Sequence, residues 1–307
     1  MADDKKTVLV FGATGQQGGS VAAALLAAGW PVRAFVRDPA GAKAKLLAQA
    51  GAEVVEGDLA DDAAIRAAMA DAYGVFSAQP SSGQGAVHNV TDEEEVRYGV
   101  TIADHAAEAG VRHLVYSSSN AARDEPSGMG HFDSKARIER HVRTLPITIT
   151  IIRPAAFMEM LMMPGFGLPE GHFTFFMQPD QKVQVLAVED IGKIVAAIFA
   201  DPNRFAGETL EIASDTVTGN GLAETFTQAA GKPISYLRFP DDVLAGNPFL
   251  AGLTRLVDDG RLAGHADLAL LRTLAPGLLT FHSWLAGAGR PAFHAALGTD
   301  GVWSYDK

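Results

Sequence analysis

The alternation of short apolar runs with helical stretches constrains this chain more than any other feature. Runs rich in Val, Ile and Phe recur through the first half, separated by stretches of helical periodicity. Strands alternating with helices predict a doubly wound α/β fold, in which helices cover both faces of a parallel sheet. We predict strands at residues 7–11, 32–36, 53–56, 74–77, 113–117 and 147–152, and helices at 18–28, 40–50, 61–71, 92–109 and 133–144.

The regular alternation ends near Pro154, where the chain becomes rich in Met, Phe, Pro and Gly. We therefore expect residues 1–153 to form the main domain and residues 154–307 to form a smaller, mostly helical lobe. Two later apolar runs, at 183–188 and 209–213, are expected to return to the main sheet, with a helix at 190–199 between them. A helical pattern extends over residues 245–297, broken at Gly260, Pro276 and Gly287.

The composition excludes several classes of function. None of the 307 residues is a cysteine, so disulfides, thiolate metal sites and cysteine nucleophiles are ruled out. The net charge of −11 repels phosphate backbones, so we expect no nucleic-acid partner. The histidines lack paired metal-ligand spacing, and we expect no metal. No apolar run approaches ~18 residues and no signal-peptide core is present, so we expect no membrane span and a cytoplasmic monomer or homodimer.

A glycine-rich turn follows the first strand and opens the first helix, with the sequence Gly12-Ala13-Thr14-Gly15-Gln16-Gln17-Gly18. Small residues there let the backbone turn tightly and let a pyrophosphate approach the amides of the helix N-terminus. The alternative is a purely structural turn. In its strand–turn–helix context the motif predicts dinucleotide binding. The candidate contacts are Gly12, Thr14, Gly15, Gln16, Gln17 and Gly18.

The end of the second strand bears on the choice between NADP and NAD. Arg37 follows that strand, and a guanidinium can bind a 2′-phosphate through two hydrogen bonds. Lys43 adds charge from the next helix. The alternative is a surface arginine paired with Asp38, whose carboxylate also keeps NAD possible. We predict NADP(H) as the preferred cofactor, with NAD(H) possible.

Further candidate cofactor contacts follow the third and fourth strands. Asp58 comes after the third strand, where it either accepts a hydrogen bond from the adenine amino group or caps the helix that starts near Asp61. The carboxyl ends of parallel strands face the ligand crevice in such folds. The remaining candidates there are Leu59, Ala78, Gln79 and Pro80.

The fifth strand ends in Tyr116-Ser117-Ser118-Ser119-Asn120, and His131-Phe132-Asp133-Ser134-Lys135 follows. With the glycine spacing, these segments resemble the NmrA-like family of atypical short-chain dehydrogenases/reductases, which have a Rossmann fold. The resemblance covers most of the chain and includes residues 8–19, 51–58, 188–192 and 279–285. It implies that Lys135 contacts the nicotinamide ribose and that Ser117, Ser118 or Ser119, with Ser118 our choice, occupies the catalytic serine position. It also implies that Pro154 and Phe157 line the nicotinamide pocket.

The departure from the family pattern is His131, which stands where related reductases carry the tyrosine of Tyr-x-x-x-Lys. An imidazole titrates near neutral pH and could protonate the product. Alternatively, His131 caps the helix or packs beneath the cofactor. The four-residue spacing places His131 and Lys135 on one helix face, so that the lysine charge could perturb the imidazole.

Three other features have a candidate interpretation. The acidic run at residues 92–95 is explained by the helix macrodipole at a helix start. The methionines at 158, 160, 162 and 163, with Phe157 and Phe166, form either an adaptable apolar pocket or plain core. The loop at residues 81–89, which contains His88, could order over a ligand.

Two functions fit these patterns. The first is an NADPH-dependent reductase that transfers hydride to an apolar carbonyl or quinone-like acceptor. The second is an NADP(H)-binding redox sensor that acts through a protein partner without turnover. The histidine in the tyrosine position favours the second function.

Overall fold

The computed structural model describes residues 6–83 and 90–298, which form two compact units. The first unit comprises the described residues up to Pro126 together with Gly130–Arg153 and Val188–Leu210. The second comprises Ser127–Met129, Pro154–Ala187 and the described residues from Glu211 onward. The chain thus leaves the first unit briefly at Ser127–Met129 and again at Pro154, and returns to it at Val188–Leu210.

Strands and helices alternate strictly up to residue 154, as the apolar periodicity predicts. In chain order they are β1 (Val8–Val10), α1 (Gln16–Ala27), β2 (Val32–Val36), α2 (Ala42–Gln49), β3 (Glu53–Glu56), α3 (Asp62–Ala68), β4 (Gly74–Ser77), α4 (Asp92–Glu108), β5 (His113–Ser117), α5 (Gly130–Val142) and β6 (Thr148–Pro154).

The alternation is less regular after residue 154. The later elements are β7 (Ala156–Phe157), a 3-10 helix (Met158–Met162), β8 (His172–Phe175), β9 (Val183–Leu186), α6 (Val188–Ala200), α7 (Pro202–Phe205), β10 (Thr209–Ile212), β11 (Asp215–Val217), α8 (Gly219–Ala230), β12 (Ser235–Arg238), α9 (Asp241–Gly246), α10 (Pro248–Asp258), α11 (Leu268–Leu274), α12 (Phe281–Ala286) and α13 (Arg290–Leu297).

The main sheet has seven strands in the order β3-β2-β1-β4-β5-β6-β10. Neighbouring strands from β3 to β6 pair in parallel. The order reverses between β1 and β4, which is the switch point where ligands bind in doubly wound sheets. The predicted fold class is confirmed. Strands β2 to β5 also have the predicted bounds, because short runs of β-branched and aromatic residues bounded by turn residues mark strands.

Helix ends in the first unit are set by local chemistry. Asp61 caps α3 by accepting from the amides of Ala63 and Ala64. Thr91 and Glu94 form a capping box at the start of α4. Gly15 occupies the N-cap position of α1, where it has no side chain with which to cap the helix.

The second unit contains two small sheets and most of the later helices. Its core is aromatic and includes Phe173, Phe226 and Trp284. The predicted late strand at 183–188 is β9, but it pairs with β7 and β11 in a three-stranded sheet. Our expectation that it returns to the main sheet was wrong. Only β10 does so, because an apolar run marks a strand without specifying its partner.

Candidate functional site

The glycine turn follows β1 and forms a cradle that side chains would fill. Gly12 has φ +66°, a left-handed conformation that favours glycine, and an added Cβ would lie 3.1 Å from the carbonyl oxygen of Ala78. A Cβ at Gly15 would lie 3.1 Å from the Gly12 oxygen. Gly12, Gly15 and Gln16 are exposed, and Thr14 and Gln17 are partly so. At Gly12 and Gly15 the turn therefore presents backbone without side chains beside the N-terminus of α1.

Gly18 has a different part in the same turn, because it is buried. A Cβ on Gly18 would overlap the carbonyl of Gly12, so its absence lets α1 pack directly on the turn. This close packing fixes the first-turn amides of α1, which have no carbonyl four residues earlier to accept their hydrogen bonds. The side chain of Gln17 accepts a 2.7 Å hydrogen bond from the Ser117 hydroxyl, which ties the helix to the end of β5.

Two exposed cations follow β2: Arg37 comes directly after the strand, and Lys43 lies in the first turn of α2. Within the described residues, neither makes a hydrogen bond or ion pair. The carboxylate of Asp38 instead accepts a 2.9 Å hydrogen bond from the amide of Ala40. The alternative interpretation, in which Asp38 holds Arg37, therefore does not describe this structure. Two unpaired positive charges at this position are the more distinctive because the chain as a whole carries −11.

In the loop after β3, Asp58 makes a local hydrogen bond and a different aspartate caps the next helix. Its carboxylate accepts a 2.8 Å hydrogen bond from the amide of Ala60, while Asp61 caps α3. The capping role considered for Asp58 is therefore wrong. Asp58 remains exposed, and Leu59 packs partly against the core of the first unit.

The ends of β4 and β5 bring several predicted residues to the same edge of the sheet. Gln79 donates a 2.6 Å hydrogen bond to Ser77, which turns its amide back onto β4. Ala78 lies against Gly12, as described above, and Pro80 is partly buried. Ser118 is 4% exposed, and its hydroxyl has no hydrogen-bond partner among the described residues. An orphaned buried hydroxyl is uncommon and marks a position that a ligand can satisfy.

Lys135, on α5, lies in a buried polar cluster. Its ammonium pairs with Glu95 of α4 and donates a 3.1 Å hydrogen bond to Ser81. The Glu95 carboxylate also accepts from the hydroxyls of Ser81 at 3.0 Å and Ser134 at 2.9 Å. Four side chains from the β4–α4 connection, α4 and α5 therefore share one network.

Glu95 is the member that the sequence interpretation missed. We attributed the whole acidic run to the helix macrodipole, but Glu95 is only 1% exposed, and that interpretation is wrong for it. The missed signal is its spacing from Gly99, Ile102 and Ala106, which places it on the buried face of α4. Glu93, by contrast, lies on the surface, where it pairs with Arg137 of α5.

His131 lies in the first turn of α5, one turn before Lys135. Its ring packs against Phe132 and the backbone of Gly83, where an added Cβ would approach the imidazole to 2.6 Å. Burial, reinforced by the Lys135 charge and opposed by Asp92 and Asp133, lowers the pKa of His131 to about 4. The imidazole is therefore neutral at pH 7. This opposes the role of an imidazolium acid and agrees with the alternative of a packed ring.

The segment after β6 divides between the two units. Arg153 forms a two-pronged ion pair with buried Glu139, at 2.9 and 2.7 Å, so its guanidinium is held by α5. Pro154 ends β6, and Phe157 lies in β7 of the second unit. The methionine cluster is split as well: Met158, Met162 and Phe166 are core, whereas Met160 and Met163 are 52% and 42% exposed. His88 lies outside the described residues.

Two negative findings apply to residues 6–83 and 90–298. No helix in these ranges is both long and apolar enough to cross a bilayer. No three acidic or histidine side chains in them gather as metal ligands would.

Strand order and glycine turn together define a doubly wound protein of the Rossmann class. Residues 4–256 match the NmrA-like family, and the chain belongs to that family. A relative from Malbranchea aurantiaca, the NmrA-like family domain-containing oxidoreductase malD, is 31% identical over 268 residues, which cover 78% of this chain and 77% of the relative.

Solved structures show the same fold at lower identity. NmrA, a negative transcriptional regulator in complex with NADP, is 21% identical with a TM-score of 0.78, covering 97% of this chain and 99% of its own. The NADPH-dependent quinone oxidoreductase QOR2 from Escherichia coli, complexed with NADPH, is 23% identical with a TM-score of 0.71, covering 92% and 99%. These two likenesses confirm the fold class.

Proposed function

We propose that this protein is an NADPH-dependent reductase of a quinone-like or other conjugated carbonyl acceptor. The observation that carries the proposal is the exposed glycine cradle at the N-terminus of α1, followed one strand later by two unpaired cations. An anion-binding helix terminus and a phosphate-binding pair at the end of β2 are what a 2′-phosphorylated dinucleotide requires. The names of the NmrA-like oxidoreductase relative and of the NADPH-bound neighbour support the same assignment.

Each candidate residue would then contact a different group of the NADPH molecule. The first-turn amides of α1, at Gln16 and Gln17, would hold the pyrophosphate, because the Gly15 amide already donates to the Gly12 carbonyl. Arg37 with Lys43 would hold the 2′-phosphate. Lys135 would donate to the nicotinamide ribose, and the unpartnered hydroxyl of Ser118 would face the ligand. The preference for NADP(H) follows from the two cations, and the position of Asp38 still permits NAD(H).

The class of acceptor is inferred from how the reduced oxygen of the product can obtain its proton. NADPH, when bound, supplies a hydride, and the reduced oxygen must then be protonated. Neutral His131 is a poor acid at pH 7, and the family tyrosine is replaced. An aliphatic ketone would yield a strongly basic alkoxide, which is too high in energy to form without an acid beside it. A quinone yields a phenolate-like oxygen with a pKa of about 10, which can form without an acid in the site and take its proton from solvent afterwards. The site is thus better suited to quinone-like acceptors than to simple ketones.

The test is NADPH oxidation against matched panels of quinones and aliphatic ketones. We expect turnover with quinones, and a fall of roughly tenfold or more in kcat/KM in the Lys135→Ala variant, since a hydrogen bond from a charged group contributes about 1.5–3 kcal/mol. Lys232→Ala, an exposed substitution in the second unit, is the control and should match the wild type. Unchanged turnover in Lys135→Ala would refute the assignment of this lysine.

A second candidate is the redox sensor, and the neutral, packed His131 is the observation that favours it. In that case the protein binds NADPH tightly, turns over no acceptor of either panel and changes its sedimentation when the nucleotide is added. A partner protein would then read the bound state. This outcome and quinone turnover are mutually exclusive results of the same assay.

A further inference from the structure

We propose that Glu95 is the positioning residue for Lys135: a buried carboxylate on α4 that holds the lysine ammonium in one orientation for the cofactor. The inference rests on the proposed function, because it assigns to Lys135 a cofactor to serve. It goes further by naming a residue outside the glycine turn and outside the His131–Lys135 segment.

The hydrogen-bond inventory of the cluster supports this role. An ammonium has three hydrogens. Contacts within the described residues account for two of them, one on Glu95 and one on Ser81. A tetrahedral nitrogen with two hydrogens fixed has the direction of its third hydrogen fixed as well. That third hydrogen is the one left for a ligand hydroxyl.

The carboxylate of Glu95 is itself held in place. One of its oxygens faces the ammonium, and the other accepts from both Ser81 and Ser134. Ser134 immediately precedes Lys135 on α5, so the anchor and the lysine are tied to the same helix turn. Because both carboxylate oxygens accept hydrogen bonds from side chains of the cluster, the carboxylate is held in one orientation.

Burial makes this ion pair different from the others between α4 and α5. The side chain of Glu95 is 1% exposed and that of Lys135 is 14% exposed. Glu93 and Arg137 join the same two helices, but their side chains are 75% and 40% exposed. Surface pairs contribute little, whereas removing one partner of a buried pair leaves the other charge uncompensated. An ion pair that only joined the two helices could lie on the surface, as Glu93–Arg137 does.

The matched variants are Glu95→Gln and Glu93→Gln, which make the same chemical change on the same helix. We expect Glu95→Gln to weaken NADPH binding by roughly tenfold, within the range of coupling between contacting residues, and Glu93→Gln to leave the Kd unchanged. The double variant Glu95→Gln/Lys135→Met should bind NADPH no more weakly than Lys135→Met alone. Additive losses in the double variant would show that Glu95 acts on the fold and not through Lys135, and would overturn the proposal.

A second measurement needs no cofactor. An amine released from its carboxylate reacts faster with an acylating reagent, so labelling of Lys135 in the full-length chain, followed by peptide mass spectrometry, should accelerate severalfold in Glu95→Gln and stay at the wild-type rate in Glu93→Gln. An unchanged labelling rate in Glu95→Gln overturns the positioning role. Absence of NADPH binding by the wild type would overturn the proposed function, whereas accelerated labelling would still support the Glu95–Lys135 pairing.

Discussion

At the scale of single residues, charge and burial determine which candidates can act. Arg37 and Lys43 are exposed and unpaired within the described residues, while Asp38 is occupied by the amide of Ala40. A guanidinium in this state meets a phosphate without first giving up a protein partner. If Arg37 were paired with a carboxylate, breaking that ion pair would reduce the free energy gained on binding the phosphate.

This leads to a prediction on cofactor preference. Arg37→Ala should weaken NADPH binding by roughly tenfold or more and should leave NADH binding nearly unchanged, because only NADPH carries the 2′-phosphate. Titration of both nucleotides against wild type and variant measures the two Kd values. Equal losses for the two nucleotides would remove Arg37 from the 2′-phosphate site.

At the scale of elements, the β1–turn–α1 unit combines two functions of glycine. Gly18 lets the helix approach the turn, whereas Gly12 and Gly15 keep the outer surface free of side chains. The same principle operates between α1 and α6, where a Cβ on Gly192 would overlap Ser20 and the Gly192 amide donates to the Ser20 hydroxyl. Helix α1 is thereby fixed on both sides, which keeps its N-terminal amides in position.

Substitution at the outer glycine separates binding from folding. Gly15 has φ −85° and ψ −179°, an extended backbone conformation that valine also adopts, and the 3.1 Å approach of its Cβ to the Gly12 oxygen requires a shift of only a few tenths of an ångström. Gly15→Val should therefore keep the thermal midpoint within a few degrees of wild type while abolishing detectable NADPH binding. Circular dichroism and nucleotide titration on one preparation measure both. Retained affinity would mean that the turn does not hold the pyrophosphate.

At the scale of the whole molecule, the free energy of unfolding should depend on pH through the buried histidine His113. His113 lies in the central sheet, fully buried, with one ring nitrogen 2.8 Å from the hydroxyl of Thr150. Burial lowers the pKa of His113 from 6.5 to about 4. Between these two values the unfolded chain binds the proton and the folded chain does not. This stabilising contribution is complete above pH 6.5 and is lost as the pH falls towards 4.

Urea unfolding at a series of pH values tests this expectation. We expect the wild type to lose about 3 kcal/mol of unfolding free energy through His113 between pH 6.5 and 4. The His113→Asn variant should show a correspondingly shallower dependence. His265→Asn, at an exposed position, is the control and should follow the wild-type slope. Parallel curves for wild type and His113→Asn would contradict the pKa assigned here.

Much of the first unit follows from the sequence by itself. Short runs of β-branched and aromatic residues bounded by turn residues predict the bounds of β2 to β5, including those of β3, which begins and ends in exposed glutamates. The glycine spacing predicts the turn, because the carbonyl of Gly12 excludes a Cβ at Gly18 and crowds one at Gly15 within the same short segment. The four-residue spacing likewise predicts that His131 and Lys135 share a helix face, although α5 begins at Gly130, before the predicted start at residue 133.

Tertiary packing decided the rest. Glu95 and Lys135 are forty positions apart, and only the docking of α4 on α5 reveals that one neutralises the other. Burial lowers the pKa of His131, so that its ring is neutral at pH 7. Strand β9 pairs with β7 and β11 and not with the main sheet. Strand and turn formation depend on neighbours along the chain, whereas charge pairing, desolvation and strand pairing depend on neighbours in space.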